Sequence, residues 1–221
     1  MTSEHLSLKP EFKGTGEEIL RLLKAENFFE VGAKKVIAIT GESGSGKSIT
    51  ALSLQMALVT AGISTVVLHM DNYFRLPPKA NHQARLQNRF EIGPEEVQLD
   101  LLAAHIKAFR NGENSIRMPV TNYQEDWFES VDLSLHNCQV LLVEGTYVST
   151  LEDLDHRIFM ERNYHQTVVQ RKERGRDKED PFVEQVLEKE HRIIQPAIDK
   201  ADIIIDLHYH AHKKRTWENQ N

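Results

Sequence analysis

The octapeptide Gly41-Glu42-Ser43-Gly44-Ser45-Gly46-Lys47-Ser48 constrains this chain more than any other feature, because it directly follows the β-branched run Val36–Thr40 (VIAIT). It satisfies G-x-x-x-x-G-K-[ST] at every required position. Glycines let the backbone take positive φ and wrap closely around a polyphosphate without Cβ clashes. Successive amides then form an anion nest at the positive end of the helix that starts near Lys47. Lys47 can neutralise charge on the β- and γ-phosphates, the Ser48 hydroxyl can ligate Mg²⁺, and Ile49 completes the nucleotide-binding set. The motif predicts a nucleoside triphosphate site. A guanine-reading N-K-x-D run is missing, which disfavours a small GTPase, and so is the LSGGQ-like segment of transporter ATPases.

VIAIT is the first of several short apolar runs. Ser64–His69 (STVVLH), Val140–Val143 (VLLV), Arg157–Met160 and Ile203–Ile205 also read as strands, the kind buried on both faces of a parallel sheet. Helical patterns fall between them. Glu17–Phe29 groups Ile19, Leu20, Leu22 and Leu23 on one side, and Lys47–Ala61 closes at Gly62. Gly93-Pro94-Glu95-Glu96 opens a helix that runs toward Phe109, with Val97, Leu101 and Ala104 inward. A last helix turns Phe182, Val186, Leu187, Ile193 and Ile194 inward. Leu76–Phe90, prolyl, basic and aperiodic, reads as an exposed loop. This alternation predicts an α/β fold: a three-layer α/β/α P-loop NTPase with a mainly parallel sheet of about five strands and a small lid. Residues 1–30 form a lead-in with a short helix, 31–210 the domain with its lid at about 171–180, and 211–221 a polar tail.

Composition narrows the class. With 27 Lys+Arg against 33 Asp+Glu the formal charge is −6, which argues against a nucleic-acid polymer or an anionic membrane as partner. A single cysteine, Cys138, excludes an intrachain disulfide and reads as inert packing. The apolar runs fall far short of the roughly 18–20 residues that span a bilayer. MTSEHLSLKP lacks the pattern of a secretory signal, so the expected location is cytoplasmic. His208, His210 and His212 alternate after the last strand but show no carboxylate partner in the sequence, and read as a fraying terminus.

Ligands of such sheets sit beyond the carboxyl ends of the strands. Glu144 ends the strand in LLVEG, where a carboxylate can hold Mg²⁺ opposite Ser48. Asp71 follows a strand in His69-Met70-Asp71-Asn72-Tyr73-Phe74, with Tyr73 and Phe74 available to wall a pocket. Asp71-Asn72 is equally readable as a turn or cap. Arg171 and Arg174 share a helix face, and Arg176 follows Gly175, so three guanidinium groups could clamp phosphate oxygens. Interleaved acidic and basic residues through Asp180 also suit a solvated charged helix.

Together, GESGSGKS, DNYF, VEG and ERGRD resemble the uridine kinase family, which includes phosphoribulokinase and pantothenate kinase, over about Val36 to Asp206. The resemblance implies ATP and Mg²⁺ as cofactors, and a small hydroxyl-bearing acceptor. Asp71 would be the base and hydroxyl ligand, with Arg174 and Arg176 over the transferring group. It also implies assembly into a homo-oligomer. The acceptor it implies is nucleoside-like, uridine first, with another alcohol such as a sugar phosphate or a pantothenate-like compound as the alternative. Glu91 resembles the family's ribose-holding carboxylate, or is a solvated glutamate before Gly93-Pro94. Tyr123, Trp127 and Phe128 could stack on a planar substrate or simply be core. The chain departs from the family in two places. Phe159–Arg174 is several residues shorter, with His165 and Gln166 near a usual arginine pair. In Pro119–Phe128, Thr121, Asp126 and Phe128 replace the tyrosine, histidine and arginine that hold the base. An ATPase driving conformational work and a nucleotide-sensing module remain the rival readings.

Overall fold

The apolar run Val36–Ile39 divides its side chains between two cores: Val36 and Ala38 enter one, Ile37 and Ile39 the other. The structure, a computed structural model, describes residues 12, 14–29, 32–87, 92–174 and 181–214. In chain order its elements are α1 (Thr15–Ala25), β1 (Lys35–Thr40), α2 (Lys47–Thr60), β2 (Thr65–His69), α3 (Pro78–Gln87), α4 (Leu99–Arg110), β3 (Ser115–Asn122) and β4 (Trp127–Ser134). They continue with β5 (Val140–Gly145), β6 (His156–Met160), α5 (Val168–Arg174), α6 (Pro181–Ile194), β7 (Ile203–Ile205) and β8 (Ala211–Lys213).

The main sheet has the order β2-β5-β1-β6-β7-β8, parallel except for β8, which pairs antiparallel with β7. β5 splits its side chains as β1 does: Leu141 and Val143 face the core that holds Leu102, Ile106 and Phe109 of α4. Val140 and Leu142 face the core built from Ile19 and Leu23 of α1 and Leu54 and Leu58 of α2. Coverage on both faces is why these strands read as unbroken apolar runs. Among the described residues no helix is long and apolar enough to cross a membrane.

Four segments differ from the sequence reading. The sheet gains a sixth strand, because Ala211–Lys213, expected to be tail, pairs with Ile203–Ile205. The histidines there have carboxylate partners after all: His210 Nδ1 lies 3.1 Å from Glu18 and His212 Nε2 lies 2.9 Å from Asp206. The expected loop at 76–90 contains α3, which lacks an apolar stripe because none of its side chains is buried. Asp126 holds its first turn, accepting the Lys79 N–H at 2.7 Å. Pro94–Glu96 is a 3₁₀ turn rather than the start of a long helix; Val97 is extended and bridges to Phe74, and α4 begins at Leu99. Finally, β3 and β4 form a separate antiparallel hairpin in register from Ser115↔Ser134 to Asn122↔Trp127.

Register levels the carboxyl ends of three neighbouring strands. Ile39 of β1 and His69 of β2 both pair with Glu144 of β5, and Thr40 pairs with Gly145. Everything that follows β1, β2 and β5 therefore emerges at one edge.

Candidate active site

At that edge Gly41–Gly46 turns from β1 into α2, with Gly44 at φ +76° and Gly46 at φ +102°. These left-handed values suit glycine. The first intrahelical bond runs from Thr50 N–H to Gly46 O, so the amides of Lys47, Ser48 and Ile49 begin the helix without an acceptor inside it. Lys47 Nζ lies in the loop and donates to Glu42 O at 2.9 Å. The Ser45 hydroxyl is fully buried and has no hydrogen-bond partner. A buried hydroxyl with no partner, helix-start amides with no acceptor inside the helix and a lysine together fit a triphosphate tail.

The Glu42 side chain anchors the loop from below. Its buried carboxylate accepts the Tyr164 N–H at 2.6 Å and lies 2.6 Å from His191 Nδ1 of α6. Thr167 adds a bond from Oγ1 to Ser43 O at 2.9 Å. The chain just after β6 and α6 therefore frame the cradle together.

The Ser48 hydroxyl donates to Glu144 Oε1 at 3.0 Å, and the same oxygen lies 2.7 Å from His69 Nδ1. Burial works against charge on Glu144. The His69 contact, the Lys47 charge and the Ser48 bond outweigh it, so the carboxyl sits below its ordinary range. Burial likewise opposes a charged His69, but Glu144 and then Asp71 draw its proton affinity above the usual histidine value. One hydroxyl and one ionised carboxylate are hard oxygen donors that suit Mg²⁺, which keeps several waters and shares phosphate oxygens.

Asp71 stands in a 3₁₀ turn, Met70–Tyr73, directly after β2 and at the protein surface. The hairpin pins that turn: Thr121 Oγ1 donates to Asp71 O at 3.0 Å, and Thr121 N–H donates to Asn72 Oδ1 at 3.0 Å. From below, Met70 packs on Gly145, where an added Cβ would stand 2.3 Å from Met70 Cβ.

Other expected site residues lie elsewhere. Tyr73 does not wall a pocket: it is fully buried, with its hydroxyl 2.8 Å from His105 Nδ1. Burial raises the Tyr73 hydroxyl above its ordinary range and lowers His105. Phe74 is half-buried against the same core, and Tyr123 is exposed in the hairpin turn. Arg171 is 5% exposed, so it is a buried tie rather than an open clamp. Its guanidinium donates to Tyr164 O and to Thr167 Oγ1, and its stem packs over Gly44. Arg174 ends α5, with its side chain outside the described residues; Arg176 and Glu91 lie wholly outside them. The contacts of His69, Thr121 and the Glu42 carboxylate were not foreseen. For His69, its place two residues before Asp71 at a strand end was the available signal.

Comparison with known proteins agrees with this geometry. The model of the phosphoribulokinase/uridine kinase family matches residues 36–211. The bifunctional alpha-galactosidase/sucrose kinase AgaSK of Mediterraneibacter gnavus is 27% identical over 184 residues, 77% of this chain but 20% of that protein. Uridine kinase of Leuconostoc citreum is 25% identical over 182 residues, covering 77% of this chain and 86% of the relative. In three dimensions a possible uridine kinase from Bacillus stearothermophilus superposes with a TM-score of 0.61 at 18% identity, covering 85% of this chain and 97% of that one. The match of the family model, over most of the chain's length, shows that the chain belongs to the phosphoribulokinase/uridine kinase family.

Proposed function

We propose that the protein is an ATP-dependent phosphotransferase that moves the γ-phosphate of Mg·ATP to a hydroxyl of a small acceptor. The observation that carries this reading is the meeting of Ser48 with Glu144 at 3.0 Å, beside Asp71 on the neighbouring strand's end. When bound, Mg²⁺ supplies charge neutralisation between the β- and γ-phosphates. Ser48 and Glu144 would hold it. Lys47 and the amides of the loop orient the triphosphate, and Asp71 takes the proton of the attacking hydroxyl. Arg174 and Arg176 stabilise charge on the transferring group. Arg171, tied to Tyr164 and Thr167, fixes the base of that segment rather than closing over it.

A nucleoside-like acceptor is the first reading, with uridine the first compound to try. A different alcohol is favoured by a specific observation: two positions that hold the base in the uridine kinase pattern are spent on structure here. Thr121 bonds the Asp71 turn, and Asp126 caps α3. The test is acceptor-dependent ADP release. Lys47→Ala should abolish it, and Asp71→Asn should keep nucleotide affinity while turnover falls about 10²- to 10⁴-fold. Phosphate release that needs no acceptor would point to an ATPase instead. ATP binding without consumption would leave a nucleotide-sensing module.

A further inference from the structure

A second polar cluster stands close to this edge. Arg85 of α3 forks onto Glu96, Nε to Oε1 at 2.5 Å and Nη2 to Oε2 at 2.7 Å, and Nη2 also reaches Glu190 Oε1 of α6 at 3.1 Å. Asn81 adds a bond to Glu96 Oε1 at 3.3 Å, and the Gly93 N–H one to Oε2 at 3.1 Å. Glu96 is 6% and Glu190 9% exposed. Tyr147, three residues after Glu144, is 1% exposed and its hydroxyl has no hydrogen-bond partner. Burial raises its hydroxyl above the ordinary range, and the charge of Glu190 adds to that.

Two contacts locate the cluster. Tyr147 follows Glu144 by three residues, and its N–H lies 3.3 Å from Met70 Sδ, immediately before Asp71. On the other side, His191, next to Glu190 on α6, lies 2.6 Å from Glu42 of the Gly41–Gly46 loop. The cluster is therefore bracketed by the phosphate loop and the Asp71 turn, where an acceptor must lie for transfer.

Its chemistry selects among acceptors. One guanidinium faces two carboxylates, so the net charge is −1 with Glu190 ionised and zero with it protonated. Neither state has positive charge to spare for a phosphate or carboxylate on the acceptor. Glu96 already accepts from Arg85, Asn81 and Gly93, but Glu190 Oε2 and the unsatisfied phenol suit hydroxyl groups, which both donate and accept. Resting on the kinase reading above, we propose that Glu190 and the Tyr147 hydroxyl, held in place by Arg85 and Glu96, form the hydroxyl-reading wall of the acceptor site. The acceptor is then a neutral polyhydroxy compound, a free sugar or the ribose of a nucleoside, rather than a phosphorylated or carboxylated alcohol.

The test is ADP production by the full chain with Mg·ATP against two panels. One holds free hexoses, disaccharides and nucleosides; the other holds sugar phosphates and hydroxy acids. The expected result is a kcat/KM at least about tenfold higher for the best neutral acceptor, a margin a site built for hydroxyls readily supplies. The sugar and nucleoside arms then identify the source. Turnover confined to the anionic panel, or equal in both, overturns the proposal while leaving a kinase; silence in both panels overturns the kinase reading itself. Tyr147→Phe provides an independent check, since it removes a hydroxyl that bonds nothing in the protein. It should raise KM for the preferred acceptor about 3- to 10-fold, the worth of one neutral hydrogen bond. KM for ATP should not move, and Tm should hold or rise. An unchanged acceptor KM with a lowered Tm would show that the hydroxyl serves packing alone.

Discussion

Thr121 shows how one side chain can change employment while its position in the fold stays put. In the uridine kinase pattern this place belongs to a base-contacting tyrosine; here its hydroxyl and amide hold Asp71 and Asn72. In the role proposed for it, Asp71 must be presented within a narrow geometry, so loosening its turn should cost rate more than nucleotide binding. Thr121→Val should therefore lower kcat about 3- to 10-fold with KM for ATP unchanged, and Thr121→Ser should recover most of it. If serine is as slow as valine, the hydroxyl is not what positions Asp71. Sequence alone exposed Lys47, Ser48, Glu144 and Asp71, because each belongs to a local motif or ends an apolar run. It marked Thr121 only as a departure from the family pattern, and it did not show the contacts of Thr121, His69 or the Glu42 carboxylate. Their partners lie 50, 75 and at least 122 residues away, beyond the reach of any local spacing.

Elements were legible in proportion to how fully they are buried. β1 and β5 were readable because both faces are covered, whereas α3 presents no buried stripe and owes its ends to other segments. The β3–β4 hairpin was hidden for another reason: Pro119 interrupts the strand pattern, and β4 is largely exposed. β8 was missed because three residues of Ala-His-Lys have no pattern to find. What secures it is Glu26, after α1, 2.8 Å from Lys213 Nζ of β8 and 2.9 Å from His156 Nε2 of β6. Burial opposes the charge of Glu26, but the bonds from Lys213 and His156 prevail and hold its carboxyl below the ordinary 4.5. A depressed carboxyl stabilises the fold above its unfolded value and loses that contribution as pH falls through the folded one. Glu26→Gln should therefore lower Tm at pH 7, and the gap to wild type should close as the pH drops below 4.5. A gap independent of pH would show that the loss is steric rather than electrostatic.

At the scale of the whole molecule, one edge of one sheet gathers residues from distant parts of the chain. The fold class followed from the alternation of apolar runs and helices, since parallel strands need covered crossovers. The acceptor did not, because the wall proposed for it is assembled from α3 and the 3₁₀ turn after it, from α6 and from the chain after β5, with Arg85 and Glu190 105 residues apart. Binding at this edge should be felt throughout the domain. A ligand held by the folded state alone, at about 100 times its Kd, stabilises by about 2.7 kcal/mol, which for a domain of this size is about 5–10 °C in Tm. Mg·ATP should produce that rise in the native protein and not in Lys47→Ala; equal rises in both would place the nucleotide elsewhere.

The closest packing at this edge concerns an atom that is not there. Glycine at 145 lets Met70 rest on the strand directly beside Glu144, with 2.3 Å between Met70 Cβ and the place a methyl group would take. Even alanine would have to lever the aspartate-bearing turn off the carboxylate-bearing strand. The spacing from the Asp71 turn to Glu144 is thus gauged by a missing side chain, and the tightest fit among the glycines of this edge belongs to a residue with no chemistry of its own.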